Sequence, residues 1–243
     1  CAWIAADAST KELHWYFKPN EKTLPPADTP EAQLLRQYGG YNLGNTQQKE
    51  IYLTFDMGYE GGQTEQILDA LQRHNAPAAF FMVRHYIESE PELVKRMAQE
   101  GHLVCNHSTN HKNMAKLTDF AAFQTEMNGV ADAYRELTGK EMPRFFRPPE
   151  GIFSELSLQY AQKMGYTTVM WSFAYKDWEK DNQPSREYAL GKIYPRTHNG
   201  EIALLHATSQ TNADILDEVL TEWERQGYVF KSLNDLPPRQ KEK

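Results

Sequence analysis

Five short polar clusters carry the residue types that proton transfer and metal binding require. They are Thr54-Phe-Asp56-Met57-Gly-Tyr59-Glu60, Asn106-His107-Ser-Thr-Asn-His111, Arg147-Pro-Pro-Glu-Gly151, Asp177-Trp178 and Leu204-Leu-His206. Asp56 and Asp177 are candidate bases or orienting anions, and His206 is a candidate acid. His107 and His111 are four residues apart, a spacing that lets two imidazoles converge on one metal if the segment is helical or tightly turned. Asn106, Ser108 and Thr109 are also good helix caps, so that pair taken alone reads more readily as a helix start than as a metal site. A lone Asp at a strand end is common in turns, and a lone His more often packs than reacts. Five such clusters in one chain are hard to explain by packing.

The segments that precede these clusters explain why they belong together. Ile51 to Phe55, Ala78 to Val83, His102 to Cys105, Phe145-Phe146, Thr167 to Ser172, Glu201 to Leu205 and Tyr228 to Phe230 are short, apolar and β-rich. Helical patterns separate them: a stripe through Ile67, Leu68 and Leu71, then Pro91 to Glu100, Thr118 to Leu137, Ser154 to Met164, Arg186 to Tyr194 and Thr211 to Gln226. Ser89 with Glu92, and Thr211 with Asp214, stand at capping-box spacing. Strands alternating with helices imply a parallel sheet with right-handed crossovers, and strands apolar throughout imply two buried faces. An open doubly wound sheet and a closed, irregular β/α barrel both fit. In either, a site forms at the carboxyl ends of the strands, where all five clusters fall.

Composition narrows the function. The chain has 243 residues, 40% hydrophobic and 24% charged, with net charge −7 and no basic run. Nucleic acid is not expected as a partner, because phosphate binding needs a clustered basic face. No apolar run is long enough to span a membrane. Three units are expected: an N-terminal arm or leader over 1–48, a domain over 49–236 and a polar tail over 237–243. The arm carries Pro19, Pro25-Pro26, Pro30 and Gly39-Gly40, with a helical stretch around Glu31 to Tyr38, and Trp15, Tyr16 and Phe17 to pin it. Its first residues suit the remnant of a removed signal region or a lipid-modified Cys1, and equally a plain unstructured leader. Cys105 is expected as a buried free thiol, since two cysteines make no disulfide framework.

In their order and wording the five clusters resemble the motifs of the polysaccharide deacetylase family, the NodB-homology or family four carbohydrate esterases. Thr54-Phe-Asp-Met-Gly58 is similar to that family's TFDDG, His107-Ser-Thr-Asn-His111 to its H-[ST]-x-x-H, and Arg147 to Gly151 to its arginine motif. Asp177-Trp178 and Leu204-Leu-His206 match the last two. The resemblance spans about 49–236 and implies a distorted (β/α) barrel. Leu43-Gly-Asn-Thr46, Tyr59-Glu60, Phe153-Ser-Glu155 and Phe230-Lys-Ser232 further resemble the PdaA-type subgroup, which removes the acetyl group of muramic acid on the way to the muramic δ-lactam of spore cortex.

The resemblance implies an N-deacetylase of peptidoglycan glycan strands, extracytoplasmic and monomeric. Asp56 is assigned as general base, Arg147 as its partner, His206 as general acid and Asp177 as the group that fixes the tautomer of His206. Tyr59 and Trp178 are expected as walls for a sugar, Glu60 as a substrate or metal contact, and Arg84 with His85 as readers of the lactyl carboxylate. His107 and His111 are the implied metal ligands, with Asp56, Glu60 or water as a third. Met57 stands where the family has its second aspartate, and a thioether is a poor ligand for hard or borderline cations. A zinc-like ion, weakly held or absent, is therefore expected. A deacetylase of chitin or xylan on the same fold, and a sugar-binding pseudoenzyme, are the alternatives.

Overall fold

A computed structural model describes residues 8–238. Along the chain come β1 (Leu13–His14), α1 (Pro30–Gln37), β2 (Glu50–Met57), α2 (Thr64–Arg73), β3 (Ala78–Met82), α3 (Arg84–Ser89), α4 (Pro91–Gln99) and β4 (Leu103–Asn106). They are followed by α5 (Phe120–Thr138), β5 (Phe145–Phe146), β6 (Ile152–Phe153), α6 (Glu155–Lys163) and β7 (Thr167–Thr168). The chain ends with α7 (Arg186–Arg196), β8 (Glu201–His206), α8 (Gln210–Arg225) and β9 (Val229–Phe230).

The main sheet is parallel and runs β7-β5-β4-β3-β2-β8, with β9 paired to the start of β2. It curls, and residues outside regular strands join its edges. Past β7, Met170 N donates to Tyr41 O, Ser172 N to Ile202 O and Leu204 N to Phe173 O, which carries the chain across to β8. The expected single strand from Thr167 to Ser172 is thus two short pairings with a break between them.

Strand alternation sorts the core into two layers. Ile51, Leu53, Phe55 and Met57 of β2, with Ala78, Phe80 and Met82 of β3, pack outward against residues of α2, α4, α5 and α8. Tyr52, Ala79, Phe81, Cys105, Val169 and Ile202 fill the interior. Both layers are apolar, so the strands read as continuous hydrophobic runs. Cys105 is a buried free thiol, as expected, and burial pushes its pKa up.

The arm is part of the fold. β1 pairs antiparallel with β6, a two-stranded sheet not anticipated in the sequence. Trp15 is buried in a cluster with Leu35, Phe153 and Met170, while Tyr16 is exposed, so the pinning rests on Trp15. The helix starts also need correction. Ser89 closes α3, and Glu90 caps α4 without a side-chain bond. Helix α8 is capped by Ser209, whose hydroxyl accepts from Asn212 N at 3.1 Å, and not by Thr211. The capping boxes that form are Ser154 with Ser157 on α6 and Ser232 with Asp235 at the short turn after β9. No helix among the described residues is long and apolar enough to cross a membrane. Cys1 lies outside the described residues, as does the tail beyond residue 238.

Candidate active site

The carboxyl ends of β5, β4, β3, β2 and β8 surround a cavity of about 830 Å³. Asp56, Tyr59, His107, His111, Trp178 and His206 line it, together with Glu150, Trp171, Tyr175 and Lys176. Asp56 and His206 are register partners on neighbouring strands, so their side chains rise side by side into it.

Arg147 lies beneath the cavity with no exposed surface. Its Nη1 donates to Asp56 Oδ1 at 2.9 Å, its Nε to Val169 O at 2.9 Å and its Nη2 to Met170 O at 3.2 Å. The guanidinium lies 4.3 Å from the ring centroid of Phe81, which closes the interior core from above. Burial pushes the Asp56 pKa up, but the charge of Arg147, followed by His107 and His206, outweighs it, so the carboxyl titrates below its ordinary value. Breaking one partner from such a buried pair costs about 3–5 kcal/mol, because the other charge is stranded.

His206 is fixed from behind. Its Nδ1–H donates to Asp177 Oδ1 at 2.7 Å, and its backbone N–H donates to Asp177 Oδ2 at 2.9 Å. Asn212 Nδ2 donates to the same Oδ2 at 2.6 Å, and Tyr175 OH donates to Asn212 Oδ1. Asp177 is fully buried, with donors on both oxygens. With Nδ1 bound to Asp177, Nε2 is the free ring nitrogen of His206. Burial lowers the His206 pKa, but the hydrogen bond and charge of Asp177 outweigh it, and the imidazole titrates above its ordinary value. Trp178 packs edge-on against it with ring centroids 5.8 Å apart.

His107 and His111 sit in a tight turn and not in a helix. Ser108 (φ 67°) and His111 (φ 54°) take left-handed backbone conformations, and the two rings meet edge to face at 5.0 Å. His107 Nδ1–H donates to Arg147 O at 2.8 Å, which leaves a lone pair on Nε2, 3.8 Å from Asp56 Oδ2. Burial holds the His107 pKa down at about 4, so the ring is neutral. Two acceptors that face each other suit a cation between them, and the donor types suit a zinc-like one. Among the described residues, however, no group of three or more His, Cys, Asp or Glu is arranged to hold a metal. Met57, on the opposite face of β2 from Asp56, is buried in the helix-facing core.

Two expected contacts lie outside this cavity. The Glu60 carboxylate accepts from Gly62 N at 2.6 Å and Tyr86 OH at 2.6 Å, and also from Thr64. It anchors the start of α2 and has no place on the cavity wall. Arg84 opens α3, pairs with Glu88 at 2.6 Å and faces a separate depression with His85 and Asn110. Tyr59 (50% exposed) and Trp178 (51% exposed) are wall residues and not core filling.

Several supporting residues were not singled out from the sequence. Asn212 and Tyr175 back Asp177. Trp15 Nε1 donates to Trp171 O at 3.0 Å, and Trp15 N to Gly151 O at 2.8 Å. The arm thereby braces the two loops that flank Arg147. Gly151 (φ 67°) is required there, since a Cβ would stand 2.8 Å from the Trp171 ring and 3.1 Å from Trp15 Cβ. Beside it, Glu150 is a non-glycine residue at φ 58° on the cavity wall.

Comparison with known proteins follows the same lines. The family profile of polysaccharide deacetylases matches residues 43–169. The peptidoglycan-N-acetylmuramic acid deacetylase PdaA of Bacillus subtilis is 40% identical over 225 residues, 92% of this chain and 85% of that protein. The solved structure of B. subtilis PdaA, a family 4 carbohydrate esterase, superposes with a TM-score of 0.90 at 39% identity, covering 94% of this chain and 97% of that one. A peptidoglycan-N-acetylglucosamine deacetylase of Bacillus cereus is 32% identical over 199 residues, 80% of this chain and 70% of that protein.

Proposed function

The chain belongs to the polysaccharide deacetylase family, and we propose that its substrate is the N-acetylmuramic acid of peptidoglycan. It is a hydrolase of the N-acetyl amide. The observation that carries the chemistry is the pairing of two differently supported groups on one cavity: a carboxylate whose ionised form Arg147 favours, and an imidazole whose protonated form Asp177 favours. The similarity to the B. subtilis enzyme over nearly the whole chain supports the choice of sugar.

In this reading Asp56 takes a proton from water as the water oxygen attacks the acetamide carbonyl. Backbone N–H groups near Tyr59 meet the developing oxyanion. His206 gives its proton to the sugar nitrogen as the C–N bond breaks, leaving acetate and a free amine. Arg147 and Asp177 hold the base and the acid in place. Tyr59 and Trp178 form walls against the sugar.

Deacetylases of this family are generally metal-dependent. Here His107 and His111, with Asp56, would hold the ion, which would polarise the acetamide carbonyl. With Met57 turned into the core and, among the described residues, no group of three or more His, Cys, Asp or Glu arranged to hold a metal, such an ion would be held weakly and a chelator would strip it. Elemental analysis before and after chelation checks this. An ion that remains at one equivalent after strong chelation contradicts it.

We place the enzyme outside the cytoplasm as a monomer, acting on spore cortex peptidoglycan as a step toward muramic δ-lactam. The test is acetate release from glycan strands without stem peptides, compared with chitin oligomers. Release from the strands at the higher kcat/KM is expected. Preference for chitin oligomers would mark a glucosamine deacetylase, and no release from either would mark a pseudoenzyme.

A further inference from the structure

We infer that Lys176 reads the lactyl carboxylate of the muramic acid substrate and makes the enzyme selective for a free acid at that position. The inference rests on the muramic reading above and goes beyond it to a specificity residue.

The first step is covalent geometry. Muramic acid carries its acetamide on C2 and its lactyl ether on C3, the adjacent carbon. A sugar whose amide lies between Asp56 and His206 therefore presents its lactyl carboxylate in the same cavity, a few bonds away. A side chain that recognises it must line that cavity.

The second step is charge. Among the described residues lining the cavity, the carboxylates are Asp56 and Glu150, and Lys176 is the only lysine or arginine. Arg147 lies below the floor, fully buried, with its guanidinium committed to Asp56 and to two backbone carbonyls. Arg84 opens onto a different depression. The charge of Asp56 is offset by Arg147 and that of Glu150 is not, while His206, whose protonated form Asp177 favours, is assigned to the leaving nitrogen. Lys176 is therefore the mobile cation on the wall that can meet an incoming carboxylate and offset its repulsion from Glu150.

The third step is availability. Lys176 is 55% exposed, and its Nζ pairs with Glu179 at 2.6 Å. An exposed Lys–Glu pair contributes little net free energy, so the ammonium is free to exchange that partner for the substrate. Its flexible stem and compact charge suit this movement. Lys176 directly precedes Asp177 and Trp178 in the chain, so it is fixed at its root by the buried hydrogen bonds of Asp177.

The test uses stem-free glycan strands with the lactyl carboxylate either free or converted to the carboxamide. The readout is the ratio of kcat/KM for acid over amide, for wild type, Lys176→Met, Lys176→Arg and Lys176→Glu. For wild type the ratio should be roughly 10 or more, the range for a hydrogen bond to a charged group. It should fall to near one in Lys176→Met, mainly through KM, stay well above one in Lys176→Arg and drop below one in Lys176→Glu. Added salt should lower the wild-type ratio. An unchanged ratio in Lys176→Met overturns the inference. A wild-type ratio near one, with acetate still released, also overturns it and leaves the muramic reading standing. Wild type that releases no acetate from muramic residues overturns both.

Discussion

The two ends of strand β8 each bury an acid beside a histidine. At the carboxyl end, His206 Nδ1 lies 2.7 Å from Asp177 Oδ1. At the amino end, His198 Nδ1 lies 3.6 Å from Glu201 Oε2, and each of these side chains is only 1% exposed. Asp177 accepts from His206 N, His206 Nδ1 and Asn212. Glu201 accepts from His198 N at 3.1 Å, and its Oε1 is buried without a partner. His198 instead spends Nδ1 on Arg196 O and Nε2 on Ser172 Oγ. Burial therefore wins at the amino end. It pushes Glu201 up to about 8 and His198 down to about 4, so both are neutral at pH 7. At the carboxyl end the partners outweigh burial, and His206 titrates above its ordinary value. Burial alone does not make a catalytic group. The donors and charges built around it decide whether it ionises.

This contrast can be broken first at its most consequential point. Asp56→Asn should cost roughly 10²–10⁴ in rate with the circular dichroism unchanged, because an amide cannot take the proton of water. Near-normal turnover would remove Asp56 from the base role.

Asp177→Asn should give a smaller effect with a defined sign. His206 must be protonated to act as acid, so activity falls as pH rises through its pKa. Taking away the Asp177 charge lowers that pKa, and the alkaline limb of kcat/KM should move to lower pH. An unmoved limb would assign the acid to another group.

The smallest effect belongs to the amino end. Folded Glu201 titrates at about 8, and an unfolded glutamate at about 4.3. Between those values the native state holds a proton that the unfolded chain has lost, so stability falls as pH rises. Glu201→Gln carries no titratable proton there. Its melting temperature should decline less than that of wild type between about pH 5 and pH 8, with activity retained. Parallel melting curves would mean that Glu201 is ionised in the fold.

Much of the site was legible because short apolar strands end abruptly in polar residues. Asp56, His107, Arg147, Asp177 and His206 all follow such runs and meet at one end of the barrel. What stayed hidden depended on tertiary partners. Asn212 looks like an ordinary residue at a helix start, and only the approach of α8 to β8 puts it on Asp177. Glu60 and Arg84 have suitable chemistry, but Tyr86 and Thr64 claim the first and Glu88 the second. Both faces of β2 are apolar, so the sequence did not tell which one Met57 shares with the helices. The break after β7 follows from Tyr41 pairing with residues 168–170, a contact between distant segments with no local signature.

The most direct measurement is to map which acetyl groups are lost from stem-free glycan strands after incubation with the enzyme, using mass spectrometry of the separated sugars. The account predicts free amines on muramic residues, with the acetyl groups of glucosamine residues retained. Loss confined to glucosamine residues, or an unchanged strand, would contradict it.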